Sequence, residues 1–336
     1  MRNNIISIIG GGSWGTTLAH LASENRYTVR LWVYEKELAD YIQKKKENIT
    51  YLPGVKLPDS IIPTSSLEEA VVDSSLIIFV VPTHVTRDVL IKLRPYVRSN
   101  ITILSAAKGI EDNTLMLVSE IMRETLPHIN HNNFACLSGP SFAREVSKRL
   151  PAAVSLASSN KELSRMVQYI LTTPYFKMYT TNDIIGVQIG GALKNVIAIA
   201  AGGVDGLGLG YNTRAALISR GLIEIIRLGI AMGANIDTFY GLSGVGDLVL
   251  TCTGDLSRNK MVGYKIGQGL KLKDILSQMK MVAEGVNTTR SARKLSEKYH
   301  IRMPITNEVY EVLFNNKRPE KAVSDLMTKD AGDELE

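Results

Sequence analysis

The stretch Gly10-Gly11-Gly12-Ser13-Trp14-Gly15 has the spacing GxGxxG and stands between the apolar run Ile5–Ile9 and a helical pattern that contains Ala19. Each glycine has a task in holding a dinucleotide. Gly10 allows the tight turn, Gly12 lets the backbone approach a pyrophosphate, and Gly15 permits close packing of helix on strand. The helix N-terminus offers N–H donors and the positive end of its dipole to the anion. Such a motif alone is weak, but a first strand–helix junction is where it has this meaning. About 20 residues after Gly15 the run Val29–Val33 ends in Tyr34-Glu35-Lys36, where an acidic side chain typically receives a ribose 2′-hydroxyl and a basic one a 2′-phosphate. Glu35 and Lys36 offer both, so NAD and NADP remain equally open, as does a plain solvent-facing loop. Tyr34, at the end of the strand, can lay its ring along the adenine.

A second set of residues can do proton chemistry. Lys194 has Gly190, Gly191 and Ala198 as helical neighbours at i−4, i−3 and i+4, in a helix otherwise made of Ile, Leu and Val. An ammonium on such a stripe is poorly solvated, which disfavours its charge and suits it to proton transfer. The plainer alternative is a lysine that snorkels at a helix crossing. Lys108, in Ala106-Ala107-Lys108-Gly109, follows a strand and can meet a phosphate or a carbonyl oxygen, or simply be a surface lysine. Asp247, after Gly244-Val245-Gly246, can cap a helix, hold Lys194 or meet a substrate hydroxyl. Ser257-Arg258-Asn259 at a helix start suits a phosphate, because arginine forks onto its oxygens. Ser138-Gly139-Pro140-Ser141-Phe142-Ala143 offers small residues and N–H groups to a ligand, with Ser141 as a helix N-cap the alternative.

The elements that position these residues follow from periodicity. Ile5–Ile9, Val29–Val33, Leu76–Val81, Ile101–Ser105 and Phe134–Leu137 read as buried strands alternating with amphipathic stretches at Thr16–Glu24, Glu35–Lys46 and Leu115–Glu124. Ala153–Ala157 and Tyr175–Tyr179, around a helix at Lys161–Leu171, extend the same sheet. Beyond about Thr181 the chain reads as helices: Ile184–Ala201, Thr213–Gly233, Leu272–Met279, Asn287–Lys298 and Asn307–Phe314. The expectation is an α/β protein with an N-terminal Rossmann-type doubly wound sheet over 1–180, binding the dinucleotide, and a C-terminal all-α domain over 181–336, binding substrate. The charged tail Lys329–Glu336 is expected to fray.

Bulk composition narrows the class. The chain has 336 residues, 45% hydrophobic and 21% charged, with a net charge of +6; that is ordinary globular composition, and no basic block is long enough for a nucleic-acid arm. A mild positive balance suits phosphorylated ligands. Cys136 and Cys252 stand far apart, and the five histidines show no ligand spacing. Neither a disulfide framework nor a metal site is therefore expected, and a reducing, cytoplasmic compartment is the natural reading. Ile184–Val204 is strongly apolar but carries Gln188, Lys194 and Asn195, which argues against a membrane span.

With these pieces assembled, the chain resembles the bacterial-type NAD(P)-dependent glycerol-3-phosphate dehydrogenases. GGSWGTTLA, VVPTHV, AAKGIE, SGPSFA, IGVQIGGALKNVIAIAAG, GVGDLVLTCTG, SRN and EGVNT run in that family's order over nearly the whole chain. The resemblance implies hydride transfer between NAD(P)H and C2 of dihydroxyacetone phosphate, giving sn-glycerol 3-phosphate for phospholipid synthesis. It further implies cofactor contacts from Ser13, Trp14, Tyr34, Lys108, Ala143, Arg258, Val282 and Glu284. Lys108, Gly139, Ser141, Lys194, Asp247, Ser257, Arg258 and Asn259 would shape the substrate pocket, with Lys194, Lys108 and Asp247 the catalytic set. The resemblance is compatible with a homodimer. Tyr34 stands where the family often has Arg or His, and LWVYEKE is similar to the NAD-using eukaryotic members. The rival readings are a two-domain dehydrogenase acting on a β-hydroxy acid or a ketopantoate-like substrate, and a dinucleotide-sensing module without turnover.

Overall fold

The structure, a computed structural model, describes residues 4–328; the tail Lys329–Glu336 lies outside the described residues. The chain forms two compact units, one comprising the chain up to Ala107 together with Val118–Ile184, the other Lys108–Leu117 together with the chain from Ile185 onward.

Among the described residues ten strands belong to the first unit: β1 (Ile5–Ile9), β2 (Thr28–Trp32), β3 (Glu47–Asn48), β4 (Leu52–Lys56), β5 (Ile61–Thr64), β6 (Leu76–Phe79), β7 (Thr102–Ser105), β8 (Phe134–Ser138), β9 (Ala152–Ala157) and β10 (Phe176–Thr181). Eight form one sheet in the order β10-β9-β8-β7-β6-β1-β2-β5. The inner strands β1, β6 and β8 carry near-continuous apolar runs because helices cover both faces of a parallel sheet. All neighbours are parallel except β8 and β9. That reversal is the physical departure from an all-parallel expectation: the β8–β9 link carries only the short helix Ala143–Val146, not a full crossover helix. The chain runs outward from β1 through β2 to β5, then returns to β6 on the other side of β1. The carboxyl ends of β1 and β6 thus mark the point where strand order reverses, which is where open α/β sheets bind ligands. Gly10–Gly12 stand there. The edge strand β5 and the antiparallel β3–β4 ribbon were not expected, being too short and too polar to show a period.

The second unit is helical. Its core is built on the helix Ile184–Gly206. That helix is long and apolar enough to cross a membrane, but 83% of its most apolar window is buried inside the protein. Burial on all sides explains a sequence that is hydrophobic all round. Helices Gly210–Ala231, Asp247–Thr253, Arg258–Gly267, Leu272–Ser277, Glu284–Lys298, Pro304–Phe314 and Pro319–Thr328 surround it. The helix Arg258–Gly267 begins where Ser257-Arg258-Asn259 suggests a helix start, and a helix does follow the glycine turn at Asp247, whereas Pro319–Thr328 has no counterpart in the sequence reading. The helix expected from Asn307 starts earlier, with Pro304 at its first position. Buried Glu224 accepts from the Ile305 and Thr306 N–H groups and the Thr306 hydroxyl, and burial pushes its carboxyl up to about 7. Lys108–Leu117 joins this unit although the sequence suggested an unbroken first domain to residue 180. Ile110 and Leu117, each 2% exposed, belong to the helical core. The Ser291 hydroxyl donates to the Ile110 carbonyl (3.2 Å), and Lys294 pairs with Asp112 (2.7 Å).

Candidate active site

In the first unit the glycine turn divides its duties as the motif requires. Gly10 has φ +124°, and a Cβ there would lie 2.7 Å from the Val80 carbonyl oxygen. At Gly15 a Cβ would meet the Gly10 oxygen at 1.9 Å, so those two glycines serve the fold itself. A Cβ on Gly12, by contrast, would meet nothing within 4 Å beyond its own chain neighbours. Gly12 also begins the helix Ser13–Glu24 with no side-chain cap, so open space and an uncapped helix N-terminus coincide, as an anionic pyrophosphate would use them. The residues present therefore fit a dinucleotide. The Trp14 ring turns away and packs on Phe176 (centroids 6.1 Å apart). The Ser13 hydroxyl donates to the Tyr51 carbonyl.

Beyond β2, Tyr34 is 79% exposed and meets Trp32 edge-on. Glu35 and Lys36 are also exposed, and the Glu35 carboxylate accepts from the Tyr51 hydroxyl (2.8 Å). After β8, Gly139 has φ +139° and the Ser141 hydroxyl donates to its carbonyl (2.8 Å). The alternative role of Ser141 as a helix N-cap is not realised; Phe142 holds that position and no side chain caps the helix. The Ala143 carbonyl accepts from Thr17 (3.3 Å), which ties this turn to the first helix.

The second unit holds the proton-transfer candidates. Lys194 is 7% and Asp247 1% exposed. The Lys194 ammonium donates to Asp247 Oδ1 (2.5 Å) and to the Thr251 hydroxyl (2.8 Å), while Lys108 donates to Asp247 Oδ2 (2.8 Å). The pieces come together for local reasons. Gly190, on the small-residue stripe, admits the turn Leu242–Gly246: a Cβ there would sit 2.3 Å from the Ser243 oxygen. The backbone that leads to Asp247 therefore lies against the face carrying Lys194. Asp247 opens the helix Asp247–Thr253 without capping it, since its carboxylate is committed to the two lysines. Thr251, one turn later, donates back to the Asp247 carbonyl (2.6 Å) and so keeps an oxygen lone pair for Lys194.

Electrostatics follow from burial. Desolvation pulls the Lys194 ammonium down to about 8, with the nearby Lys108 charge adding to it, against the opposite pull of Asp247. For Asp247 burial opposes ionisation, but the two ammonium groups and their hydrogen bonds outweigh it and hold the carboxyl below its ordinary range. Two cations and one anion leave a surplus positive charge, suited to stabilising a forming oxyanion.

A further corner of the same unit contains the Ser-Arg-Asn run. A close crossing of Ile184–Gly206 with Arg258–Gly267, where a Cβ on Gly263 would lie 1.9 Å from the Ile199 oxygen, brings the start of the second helix to Asn195. Asn259 donates to Asn195 Oδ1 (2.8 Å) and accepts from the Gly285 N–H (3.0 Å), joining three helices. Ser257 caps the helix by accepting from the Lys260 N–H (3.2 Å). The Arg258 side chain is exposed as a whole, but desolvation of its guanidinium pulls its pKa below the ordinary value, against the opposite pull of Glu284, the half-buried first residue of Glu284–Lys298; Val282 is half-buried just before it. The expected residues thus fall into three groups. The glycine turn, Tyr34, Gly139, Ser141 and Ala143 belong to the first unit. Lys108, Lys194 and Asp247 form one cluster in the second, and Ser257, Arg258, Asn259, Val282 and Glu284 belong to that unit too. Thr251, Asn195, Asn48 and Tyr51 were missed. Only Thr251 carried a signal, being four residues after Asp247 and hence on the same helix face.

Residues 5–164 match the family model for the N-terminus of NAD-dependent glycerol-3-phosphate dehydrogenase, and residues 183–324 match that for its C-terminus. A curated relative from Geobacter sulfurreducens, "Glycerol-3-phosphate dehydrogenase [NAD(P)+]", is 52% identical over 97% of each chain. The crystal structure of glycerol-3-phosphate dehydrogenase from Coxiella burnetii superposes with a TM-score of 0.93 at 37% identity, covering 97% of this chain and 99% of that one. A ketopantoate reductase from Ralstonia eutropha shares the fold only, at 12% identity, with a TM-score of 0.61 over 95% of this chain and 99% of its own. The chain therefore belongs to the NAD-dependent glycerol-3-phosphate dehydrogenase family.

Proposed function

We propose that this chain, an NAD(P)-dependent oxidoreductase interconverting dihydroxyacetone phosphate and sn-glycerol 3-phosphate, moves the proton of that reaction with Lys194. The observation that carries the proposal is the buried Lys194 ammonium, held between Asp247 and Thr251 at a lowered pKa. When bound, reduced nicotinamide supplies the hydride that C2 of dihydroxyacetone phosphate receives. Lys194 gives its proton to the oxygen on C2 as charge develops there, and takes it back in the oxidation. Asp247 keeps that ammonium oriented, and Lys108 adds positive charge beside it. The glycerol 3-phosphate formed supplies phospholipid synthesis.

In the same reading, the sheet unit is the dinucleotide-binding domain. Gly10 and Gly15 shape its turn, Gly12 and the backbone of Ser13 and Trp14 face the pyrophosphate, and Tyr34 lies at the adenine end. Ala143, Val282 and Glu284 serve the nicotinamide end. The helical unit is the substrate domain, with Ser257, Arg258 and Asn259 at the phosphate, helped by Lys108, Gly139 and Ser141. Both cysteines are free and buried, which suits the cytoplasm; a homodimer is compatible with this reading.

Arg258 provides the test of the phosphate assignment. The Arg258 side chain is exposed as a whole and its partly desolvated guanidinium has no hydrogen bond to lose among the described residues, so Arg258→Ala should change the melting temperature little. A charge-assisted bond to phosphate contributes roughly 1.5–3 kcal/mol, so the variant should bind a phosphate-bearing ligand about 10- to 100-fold more weakly. Steady-state assays over dihydroxyacetone phosphate and over cofactor would separate the two ligands. Unchanged KM values for both would remove Arg258 from the site.

A further inference from the structure

The β3–β4 ribbon has no part in the reaction described above, yet two of its side chains reach the cofactor end of the first unit. Asn48 is fully buried; its amide donates to the Gly11 carbonyl (2.8 Å) and to the Thr16 hydroxyl (2.8 Å). Its own carbonyl accepts from the Tyr51 N–H (3.1 Å), and the Tyr51 carbonyl accepts from Ser13. The glycine turn is therefore pinned from outside by hydrogen bonds at Gly11, Ser13 and Thr16. Tyr51 then carries the connection on, because its hydroxyl donates to Glu35 Oε1 (2.8 Å) beyond the end of β2. A carboxylate on an exposed loop would otherwise sample several rotamers; the partly buried phenol holds it in one.

We propose that Asn48 and Tyr51 are positioning residues for the dinucleotide: Asn48 fixes the glycine turn that meets the pyrophosphate, and Tyr51 fixes Glu35 so that the enzyme favours NADH over NADPH. The proposal rests on the reading that Gly12 and Glu35 face the cofactor. A carboxylate held in place binds a ribose 2′-hydroxyl and repels a 2′-phosphate. A carboxylate released into solvent does both less well, because its orientation averages and water screens it.

Tyr51→Phe removes one exposed-side hydroxyl and leaves the ring, so it preserves the fold. We expect it to lower the ratio of kcat/KM for NADH to that for NADPH by about threefold, a modest change because the contact is partly solvated. Glu35→Gln should shift the ratio in the same direction, and adding Tyr51→Phe to Glu35→Gln should shift it no further. Asn48→Ala should raise the dissociation constants of both cofactors together by about tenfold through the loss of two buried hydrogen bonds, with the ratio unchanged. Binding is read by quenching of nucleotide fluorescence, independently of turnover. Gly12→Ala is the control, since a methyl group fits the fold there but would obstruct a pyrophosphate.

The failures are distinguishable. If Gly12→Ala leaves both affinities alone, or Glu35→Gln leaves the ratio alone, the cofactor reading itself is wrong and the proposal falls with it. If those controls respond while Tyr51→Phe does not move the ratio, or Asn48→Ala does not weaken binding, the ribbon proposal alone is overturned.

Discussion

Replacing Lys194 by alanine is expected to lower turnover of dihydroxyacetone phosphate by about 10²–10⁴-fold, the usual cost of a missing proton-transfer group, while cofactor affinity stays within about twofold. The separation follows from where the lysine stands. It is in the helical unit, and its hydrogen bonds run to Asp247 and Thr251 and not to the glycine turn. Folding should survive the change. The buried Asp247 carboxylate keeps Lys108 at 2.8 Å, so no orphaned charge is left behind, and the remaining penalty is a cavity lined partly by polar groups. Stopped-flow measurement of NADH oxidation with bound dihydroxyacetone phosphate, beside a fluorescence titration of NADH, reads both quantities. Near-normal turnover in a folded Lys194→Ala protein would make this residue a snorkelling lysine at a helix crossing.

Asp247→Asn is expected to be nearly as damaging, and by a different route. The substitution keeps the shape but removes the main charge that opposes desolvation of Lys194, so the lysine pKa should fall further below about 8 and its ammonium form become scarce near neutrality. Reduction of dihydroxyacetone phosphate should then fall by about 10²-fold. Stability should also drop, because two ammonium groups at hydrogen-bond distance lose their counter-charge. Breaking a buried pair costs about 3–5 kcal/mol, and the partial exposure of Lys108 places this case at the lower end. Chemical denaturation and single-turnover rates measure the two effects separately. An asparagine variant with wild-type reduction rates at neutral pH would show that Asp247 does not set the charge of Lys194.

These expectations rest on a site that was only partly legible in the sequence. The glycine turn could be read because its function depends on local backbone geometry at a strand–helix junction, which spacing reports. The lysine on the small-residue stripe could be read because helical periodicity places Gly190 beneath it. What comes up against that stripe could not, since Ser243 lies as far along the chain from Gly190 as Asp247 does from Lys194, 53 residues. Lys108 was harder still. Its segment has neither helical nor strand period, and only the burial of Ile110 and Leu117 in the helical core assigns it to that unit. Asn48 and Tyr51 carry no signal in the sequence, because a strand of two residues leaves no pattern. Their roles exist only through the hydrogen bonds that the folded ribbon makes.

The most direct test of Lys194 as the proton-transfer group is the pH dependence of the hydride-transfer step in the two directions, measured by single turnover so that product release does not mask it. Reduction consumes the proton of the ammonium form, so its rate should be highest below the Lys194 pKa and fall as pH rises through about 8. Oxidation of glycerol 3-phosphate needs the neutral amine, so its rate should climb over the same interval and level off above it. Opposite profiles crossing near that pH, both flattened in the residual activity of Lys194→Ala, are the predicted result. Rates independent of pH across this interval, or profiles of the same sense in both directions, would contradict it.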